Sequence, residues 1–164
     1  VVQRMAKSYD VEFDALNYSE WEKETINRSA LLEQLDQFMS NQYDYVIVQL
    51  GENVKNSDTL ETDLEAMVSY IKENQSATNI IIVGNFWKNN TIESIKTRVA
   101  QNDGCIYISL EDIQGPEYQS AIGNKIEGYA GIQMPIDNYF VSIHPGDIGM
   151  EAIAEKIYGV MCLE

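Results

Sequence analysis

Hydrophobic positions follow two alternating patterns along the chain. Apolar residues recur every three or four positions in some stretches, and short, almost wholly apolar runs separate these stretches. The first pattern predicts helices over residues 1–9, 29–40, 58–74, 92–101 and 147–161. The apolar runs predict buried strands over residues 44–50, 79–85 and 105–110, and the alternation over 11–16 predicts a further strand. Strands that alternate with helices indicate an α/β fold: a three-layer α/β/α sandwich with a parallel sheet.

Two local features refine this prediction. Asp58, followed three residues later by Glu61, matches a capping box and predicts the start of the helix that ends near Asn74. The stretch from Glu111 to Ile143 has no strong period and is rich in glycine and proline. A segment of this length without periodicity predicts a functional loop or lid over the site.

Length and charge limit the classes of function. At 164 residues and 45% hydrophobic content, the chain is long enough for a single domain, which we expect to span 1–164. With 11 Lys and Arg against 26 Asp and Glu, the net charge is -15, and no basic cluster occurs. We therefore expect no nucleic-acid partner, because binding phosphates requires local positive charge. No apolar run approaches the length of a membrane span, and localisation is left open.

The two cysteines, Cys105 and Cys162, are isolated in the sequence and have no partner at metal-ligand spacing. We interpret Cys105 as a small buried apolar residue and Cys162 as a thiol of the tail. No metal site and no cofactor are expected.

The carboxyl ends of the predicted strands are where a parallel sheet normally binds its ligand. Gly51-Glu52-Asn53 follows the strand at 44–50, and Asn85-Phe86-Trp87 follows the next one. The long segment after the last strand leads to His144, the only histidine. Asn53 taken alone is typical of a turn residue. Phe86 and Trp87 suit either the core or a platform for a sugar ring or acyl group.

Two of these stretches resemble conserved blocks of the SGNH, or GDSL-type, hydrolase superfamily. VIVQLGEN, residues 46–53, resembles the third block, in which a strand runs into Gly-x-Asn. IHPGDIGMEAIA, residues 143–154, resembles the fifth block, in which His-Pro precedes the last helix. The resemblance implies a flavodoxin-like SGNH fold and a serine esterase that cleaves an acyl or acetyl ester, carried by a small molecule or a carbohydrate.

The resemblance also implies roles for individual residues. His144 would be the general base that takes the proton of a serine hydroxyl. Asn53 would donate its side-chain N–H to the oxyanion, and Gly51 would allow the sharp turn beneath that amide. The second block normally supplies another oxyanion donor, and Ser19 in NYSEW occupies the corresponding place.

Two departures from the family pattern affect the catalytic residues. The nucleophilic serine of the family lies in a Gly-Asp-Ser block, which does not occur in this sequence, so we expect an N-terminal truncation. The family has Asp three residues before the histidine, where this chain has Val141. Asp137, Asp147 or a main-chain carbonyl would then have to orient the imidazole. Among the serines present, Ser19 and Ser142 are nearest in sequence to the predicted site.

Other α/β functions do not fit the same strand ends. A receiver domain requires acidic residues there, and a flavodoxin requires a Ser/Thr-rich phosphate loop near the start, and neither pattern is present. The alternative to an esterase is a catalytically incomplete SGNH-like domain that serves as a glycan-binding or structural module.

Overall fold

The computed structural model describes residues 1–127 and 131–161. The chain forms two compact units: Val2–Ser109, called here the N-terminal unit, and Leu110 onward together with Val1, called the C-terminal unit. A single SGNH-like domain over 1–164 stays a prediction.

The N-terminal unit contains a three-stranded parallel sheet in the order β1-β2-β3. Its strands are β1 (Tyr45–Val48), β2 (Asn79–Val83) and β3 (Ile106–Ile108). Val46 pairs with Ile80, and Ile82 pairs with Tyr107. The central strand is buried as its apolar run predicts, since residues 80–83 are at most 3% exposed. The α/β class and the parallel sheet are therefore confirmed.

Helical segments of the N-terminal unit lie before and between these strands in the chain. They are α1 (Val2–Met5), α2 (Ser19–Lys23), a 3₁₀ helix (Arg28–Leu35), α3 (Asp36–Met39), α4 (Leu60–Asn74) and α5 (Asn90–Asn102). α4 joins β1 to β2, and α5 joins β2 to β3. The main core combines Val48, Ile80 and Ile82 of the sheet with the apolar faces of α4 and α5. Tyr18, Trp21 and Leu32 complete this core from the N-terminal segment.

The sequence predictions fail in several places before β1. Residues 11–16 form no strand: their alternating side chains are mostly exposed, with Phe13 at 64%, and no β partner lies beside them among the described residues. The helix predicted over 1–9 is limited to α1. The helix predicted over 29–40 is mostly 3₁₀, and the hydroxyl of Tyr18 donates to the carbonyl of Leu31 at 2.5 Å, giving that carbonyl a partner outside the helix.

The predicted capping box at the start of α4 is also wrong. Thr59 occupies the N-cap position without a side-chain cap bond, and its hydroxyl donates to Asp63 at 2.7 Å. Asp58 instead belongs to a turn in which its N–H donates to the Asn56 side chain. The helix itself ends at Asn74, as predicted.

The C-terminal unit consists of short elements followed by one long helix. They are 3₁₀ turns Glu111–Ile113 and Pro116–Tyr118, the antiparallel pair β4 (Lys125–Glu127) and β5 (Gln133–Pro135), α6 (Tyr139–Ser142) and α7 (Asp147–Met161). The stretch predicted as one aperiodic loop thus contains several short elements. The last helix has the bounds that its periodicity predicts.

Close packing at Gly149 fixes α7 within its unit. Gly149, Ile153 and Ile157 form the buried face of α7. A Cβ on Gly149 would overlap the main-chain oxygen of Tyr118, so the helix passes directly against this 3₁₀ turn. Lys156 pairs with Asp112 at 2.7 Å and holds the pKa of that carboxyl below its usual value.

Two further predictions concern thiols and membrane spans. Cys105 is a half-buried thiol without a disulfide, and burial raises its pKa. Cys162 lies outside the described residues. Within the described ranges, none of the helices has the length and apolar character needed to cross a membrane.

Candidate functional site

The turn Gly51–Asn53 follows β1 at the carboxyl end of the sheet. Gly51 is buried and has φ +127°, a backbone conformation that favours glycine. A Cβ at this position would lie 2.6 Å from Asn85 Oδ1 and 2.9 Å from Lys96 Cε. Gly51 is therefore required both by the sharp turn and by the side chains packed against it.

A buried glutamate, Glu22 of α2, holds this turn from one side. Its Oε1 accepts the main-chain N–H of Gly51 at 2.6 Å and that of Asn53 at 3.3 Å. Its Oε2 accepts the side-chain N–H of Asn53 at 2.9 Å. Glu22 is 4% exposed, so these hydrogen bonds replace the water that its carboxylate loses.

The hydrogen bonds with Glu22 also fix which way the Asn53 amide faces. An ionised carboxylate only accepts hydrogen bonds, so Nδ2 rather than Oδ1 must face Glu22. Nδ2 carries two protons, and Glu22 Oε2 takes one of them. Because the amide group is planar, the hydrogen bond of the first N–H also fixes the direction of the second N–H of Asn53.

On the other side of Gly51 lies a buried lysine, Lys96 of α5. Its ammonium donates to Asn85 Oδ1 at 2.5 Å and to the carbonyl of Val83 at 2.8 Å. Burial lowers the pKa of Lys96 to about 8, against the opposing effect of the carboxylates of Glu93, Glu52 and Glu22. Lys96 thus places one positive charge among three carboxylates at the end of the sheet.

Glu52 and Glu93 connect this turn to the end of β2. Glu52 Oε1 accepts the N–H of Phe86 at 2.5 Å, and burial raises the pKa of Glu52 above its usual value. Glu93 Oε1 accepts the N–H of Asn85 at 2.7 Å, and its other oxygen accepts the hydroxyl of Tyr107. The main-chain N–H groups of Asn85 and Phe86 are therefore bound by carboxylates of the same unit.

The predicted platform residues have different exposures. Phe86 is 3% exposed, so its ring is part of the interior, whereas Trp87 is half-buried. Only Trp87 of the pair keeps an appreciable accessible surface for contact with a ligand.

A buried arginine, Arg28 at the start of the 3₁₀ helix, bonds the residue that precedes Glu22 in α2. The Arg28 guanidinium donates to the carbonyl of Trp21 at 3.1 Å and lies 5.4 Å from the centre of the Trp21 ring. It also bonds Asp63 Oδ2 and the carbonyl of Asn56, both at 2.8 Å. Arg28 therefore ties α2 to the loop that contains the Gly51–Asn53 turn and to α4.

Ser19, the predicted second-block residue, begins α2. Its N–H donates to Asn17 Oδ1 at 3.1 Å, and its side chain is half-buried. Since no strand precedes it, Ser19 does not follow a strand end as the sequence predicted. It lies in the same short helix as Glu22.

His144 belongs to the C-terminal unit, between α6 and α7. The residue is exposed, and its Nδ1 lies 2.6 Å from the carbonyl oxygen of Phe140. A carbonyl only accepts hydrogen bonds, so this contact assigns the proton to Nδ1 and leaves the lone pair of the neutral ring on Nε2. The main-chain carbonyl of Phe140, one of the alternatives considered from the sequence, therefore contacts the imidazole.

The main chain around His144 is bound to the segment 118–121. The carbonyl of His144 accepts the N–H of Ser120 at 2.9 Å, and the N–H of Gly146 donates to the carbonyl of Tyr118 at 2.8 Å. Gly146 also approaches Gln119 too closely for a relaxed side chain, with a Cβ placed 3.0 Å from the Gln119 oxygen. These contacts fix the position of the histidine just before α7.

A cleft of about 310 Å³ lies within the C-terminal unit beside the start of α7. Its walls come from the segment 117–120, the β4–β5 hairpin and the first residues of α7. Carboxylates of Glu117 and Asp147, the Lys125 ammonium and three isoleucine side chains line it. The lining is mixed in polarity, and His144 is not among the residues that form it.

Ser142, one of the alternative nucleophiles, is buried in α6. Its hydroxyl donates to the carbonyl of Tyr139 at 2.8 Å, and the residue is 5% exposed. A hydroxyl with this partner and this burial is poorly placed to attack an external ester.

The structure brings Gly51, Asn53 and the Phe86–Trp87 pair to the carboxyl ends of β1 and β2 in the N-terminal unit. His144 lies in the C-terminal unit, before the last helix. Sequence patterns did not identify Glu22 or Lys96 as parts of the site. The burial of Lys96 could have been predicted, because it lies on the apolar stripe of α5 with Ile92, Ile95 and Val99. Nothing in SEWEKE, residues 19–24, distinguishes Glu22 from its exposed neighbours.

Comparison with protein-family models gives no match, and neither does comparison with curated proteins. Among the side chains that the structure describes, no group of three or more His, Cys, Asp or Glu residues could hold a metal ion.

Proposed function

We propose that this protein is an ester hydrolase of the SGNH type, with His144 as general base and Asn53 as a donor to the oxyanion. The observation that carries the proposal is the contact of His144 Nδ1 with the carbonyl of Phe140. This contact leaves Nε2 as the basic nitrogen, which is the state that proton transfer from a serine hydroxyl requires.

The turn at Asn53 supports the same proposal. A side-chain amide that is held at a strand end beside a glycine turn resembles the family's oxyanion donor, and donors of this kind are worth about 10²–10³ in rate. The proposal also includes the finer fold, a three-layer sandwich of the SGNH type.

The residues that precede His144 favour an ester with an acyl chain longer than acetyl as substrate. Tyr139 and Phe140, which precede it in α6, are 66% and 73% exposed and pack edge to face. Exposed aromatic rings in the helix just before His144 would offer a surface to the apolar part of an ester, whereas a bare acetyl group would use little of it.

The experiment compares the 164-residue chain with a longer form that carries an upstream Gly-Asp-Ser. We expect the 164-residue chain to give no burst with an activated acetyl ester and no labelling by a serine-directed phosphonate, because its sequence has no Gly-Asp-Ser. The longer form should show both reactions, and His144→Ala in the longer form should abolish them.

Matched serine variants test the alternative nucleophiles. Ser19→Ala and Ser142→Ala in the longer form should leave the burst unchanged. Stoichiometric labelling of the 164-residue chain at either serine would contradict the assignment of the nucleophile. A crystal structure of the phosphonate adduct in which Asn53 and His144 both lie far from phosphorus would contradict the proposal as a whole.

A further inference from the structure

We infer that Glu22 is the positioning residue that orients the Asn53 side-chain amide for its role as oxyanion donor. The inference builds on the proposed function, but the orientation itself can be tested without any catalytic reaction. It starts from three hydrogen bonds that one buried carboxylate makes to a three-residue turn.

Both carboxylate oxygens of Glu22 are needed for this arrangement. Oε1 accepts the two main-chain N–H groups of the turn, of Gly51 and Asn53, which sets the backbone on which the Asn53 side chain is mounted. Oε2 accepts one proton of Asn53 Nδ2. Because the backbone and the side-chain amide of Asn53 are bound to the same carboxylate, the direction of the second Nδ2–H bond is fixed.

The turn cannot move away from Glu22, because side chains pack against its opposite side. Gly51 lies against Asn85 Oδ1 and Lys96 Cε so closely that a methyl group would not fit between them. Lys96 in turn holds Asn85 through its ammonium. The turn is thus enclosed between a carboxylate and an ammonium–amide pair, an arrangement that favours preorganisation of the donor.

A glutamine in place of Glu22 would separate orientation from simple packing. Gln has nearly the same shape, and its Oε1 can still accept from Gly51 and Asn53, so the turn should remain folded. Its Nε2, however, would face Asn53 Nδ2, and two donors cannot bond each other. The Asn53 amide should therefore rotate by a half-turn, so that Oδ1 accepts from the new amide and the oxyanion donor is displaced.

The first arm of the experiment is NMR of the 164-residue chain. Asn53→Ala identifies the side-chain amide signals of Asn53 by their loss. In the unmodified chain, one Nδ2 proton should exchange slowly with solvent, and Glu22→Gln should shift both signals. Glu20→Gln, at an exposed glutamate of the same helix, is the matched control and should leave them in place. Fast exchange of both protons in the unmodified chain would overturn the inference.

The second arm is kinetics in the longer form with Gly-Asp-Ser. Glu22→Gln should lower kcat by about 10²-fold with KM little changed, which is close to the loss for Asn53→Ala, because an oxyanion donor acts mainly in the transition state. The double variant should lose no more than Asn53→Ala alone. Full kcat in Glu22→Gln, or an additive double variant, would overturn the inference.

The two arms distinguish failure of the inference from failure of the proposed function. If the longer form hydrolyses no ester while the NMR signals behave as expected, the esterase proposal is wrong and Glu22 is a structural cap of the turn. If esterase activity is present but insensitive to Glu22→Gln, the esterase proposal stands and the positioning role is wrong.

Discussion

Lys96 is an ionisable side chain whose burial makes the stability of the fold depend on pH. The residue is 3% exposed, and its pKa is lowered from 10.5 to about 8. Below about pH 8 both folded and unfolded chains carry the charge, and the folded chain carries it at a desolvation cost. Between about pH 8 and 10.5 the unfolded chain binds more protons, so the free energy of unfolding rises with pH in this window.

We therefore expect the difference in unfolding free energy between the unmodified chain and Lys96→Met to change with pH. The difference should increase in favour of the unmodified chain from about pH 8 to about pH 10, measured by urea denaturation. Tyrosines with raised pKa values, such as Tyr18, are present in both proteins, so their contributions to the pH dependence cancel in the difference. A pH-independent difference would show that Lys96 titrates normally in the folded protein.

At the residue scale, sequence patterns located the turn but not the groups that hold it. Gly51 and Asn53 were predictable because they directly follow an apolar strand. Glu22 was not predictable, because its three bonds join positions that are 29 and 31 residues apart, and local spacing carries no information about such contacts. The carbonyl of Phe140 that orients His144 is a main-chain group, so the sequence could indicate it only as one of several alternatives.

At the scale of elements, the two helical glycines of α7 offer a direct comparison. Gly149 faces the carbonyl of Tyr118 without space for a methyl group, whereas a methyl group added at Gly159 would meet no neighbouring segment within 4 Å. Gly149→Ala should destabilise the protein by about 1–3 kcal/mol through overpacking. Gly159→Ala should stabilise it by about 0.5–1 kcal/mol through helix propensity. Denaturation followed by far-UV circular dichroism measures both.

Equal effects of the two alanines would contradict the close approach of α7 to the 3₁₀ turn. The two effects can be compared directly, because both substitutions add the same methyl group to the same helix. Only the surroundings of the added group differ.

Elements with strong periodicity were predicted well, and elements that depend on tertiary partners were not. β2 and α7 follow from their own patterns, because β2 is apolar and buried after its first residue, Asn79, and α7 has a continuous buried stripe. The strand predicted over 11–16 fails because alternation alone does not supply a neighbouring strand. The hairpin β4–β5 was missed because all of its strand residues are exposed and show no inward-facing pattern.

At the scale of the whole molecule, the parallel sheet could be predicted from the sequence, whereas the division into two compact units could not. The parallel order β1-β2-β3 follows from connections through α4 and α5, which the alternating pattern contained. The division into two compact units did not follow from composition, since the sequence changes little in polarity near Ser109. Contacts rather than residue types define that division.

Arg28 has a consequence for the order of events in folding. Its acceptors Asn56, Thr59 and Asp63 are 28, 31 and 35 positions away, so the guanidinium cannot lose its water until the start of α4 is in place. Docking of α2, and with it Glu22, should therefore follow the rate-limiting barrier. Arg28→Lys should cost about 1–3 kcal/mol and accelerate unfolding while leaving the refolding rate nearly unchanged. Stopped-flow tryptophan fluorescence measures both rates. Arg98→Lys is the control, because loss of its exposed pair with Glu61 should change neither the folding nor the unfolding rate. Slower refolding of Arg28→Lys would instead place α2 in the folding nucleus.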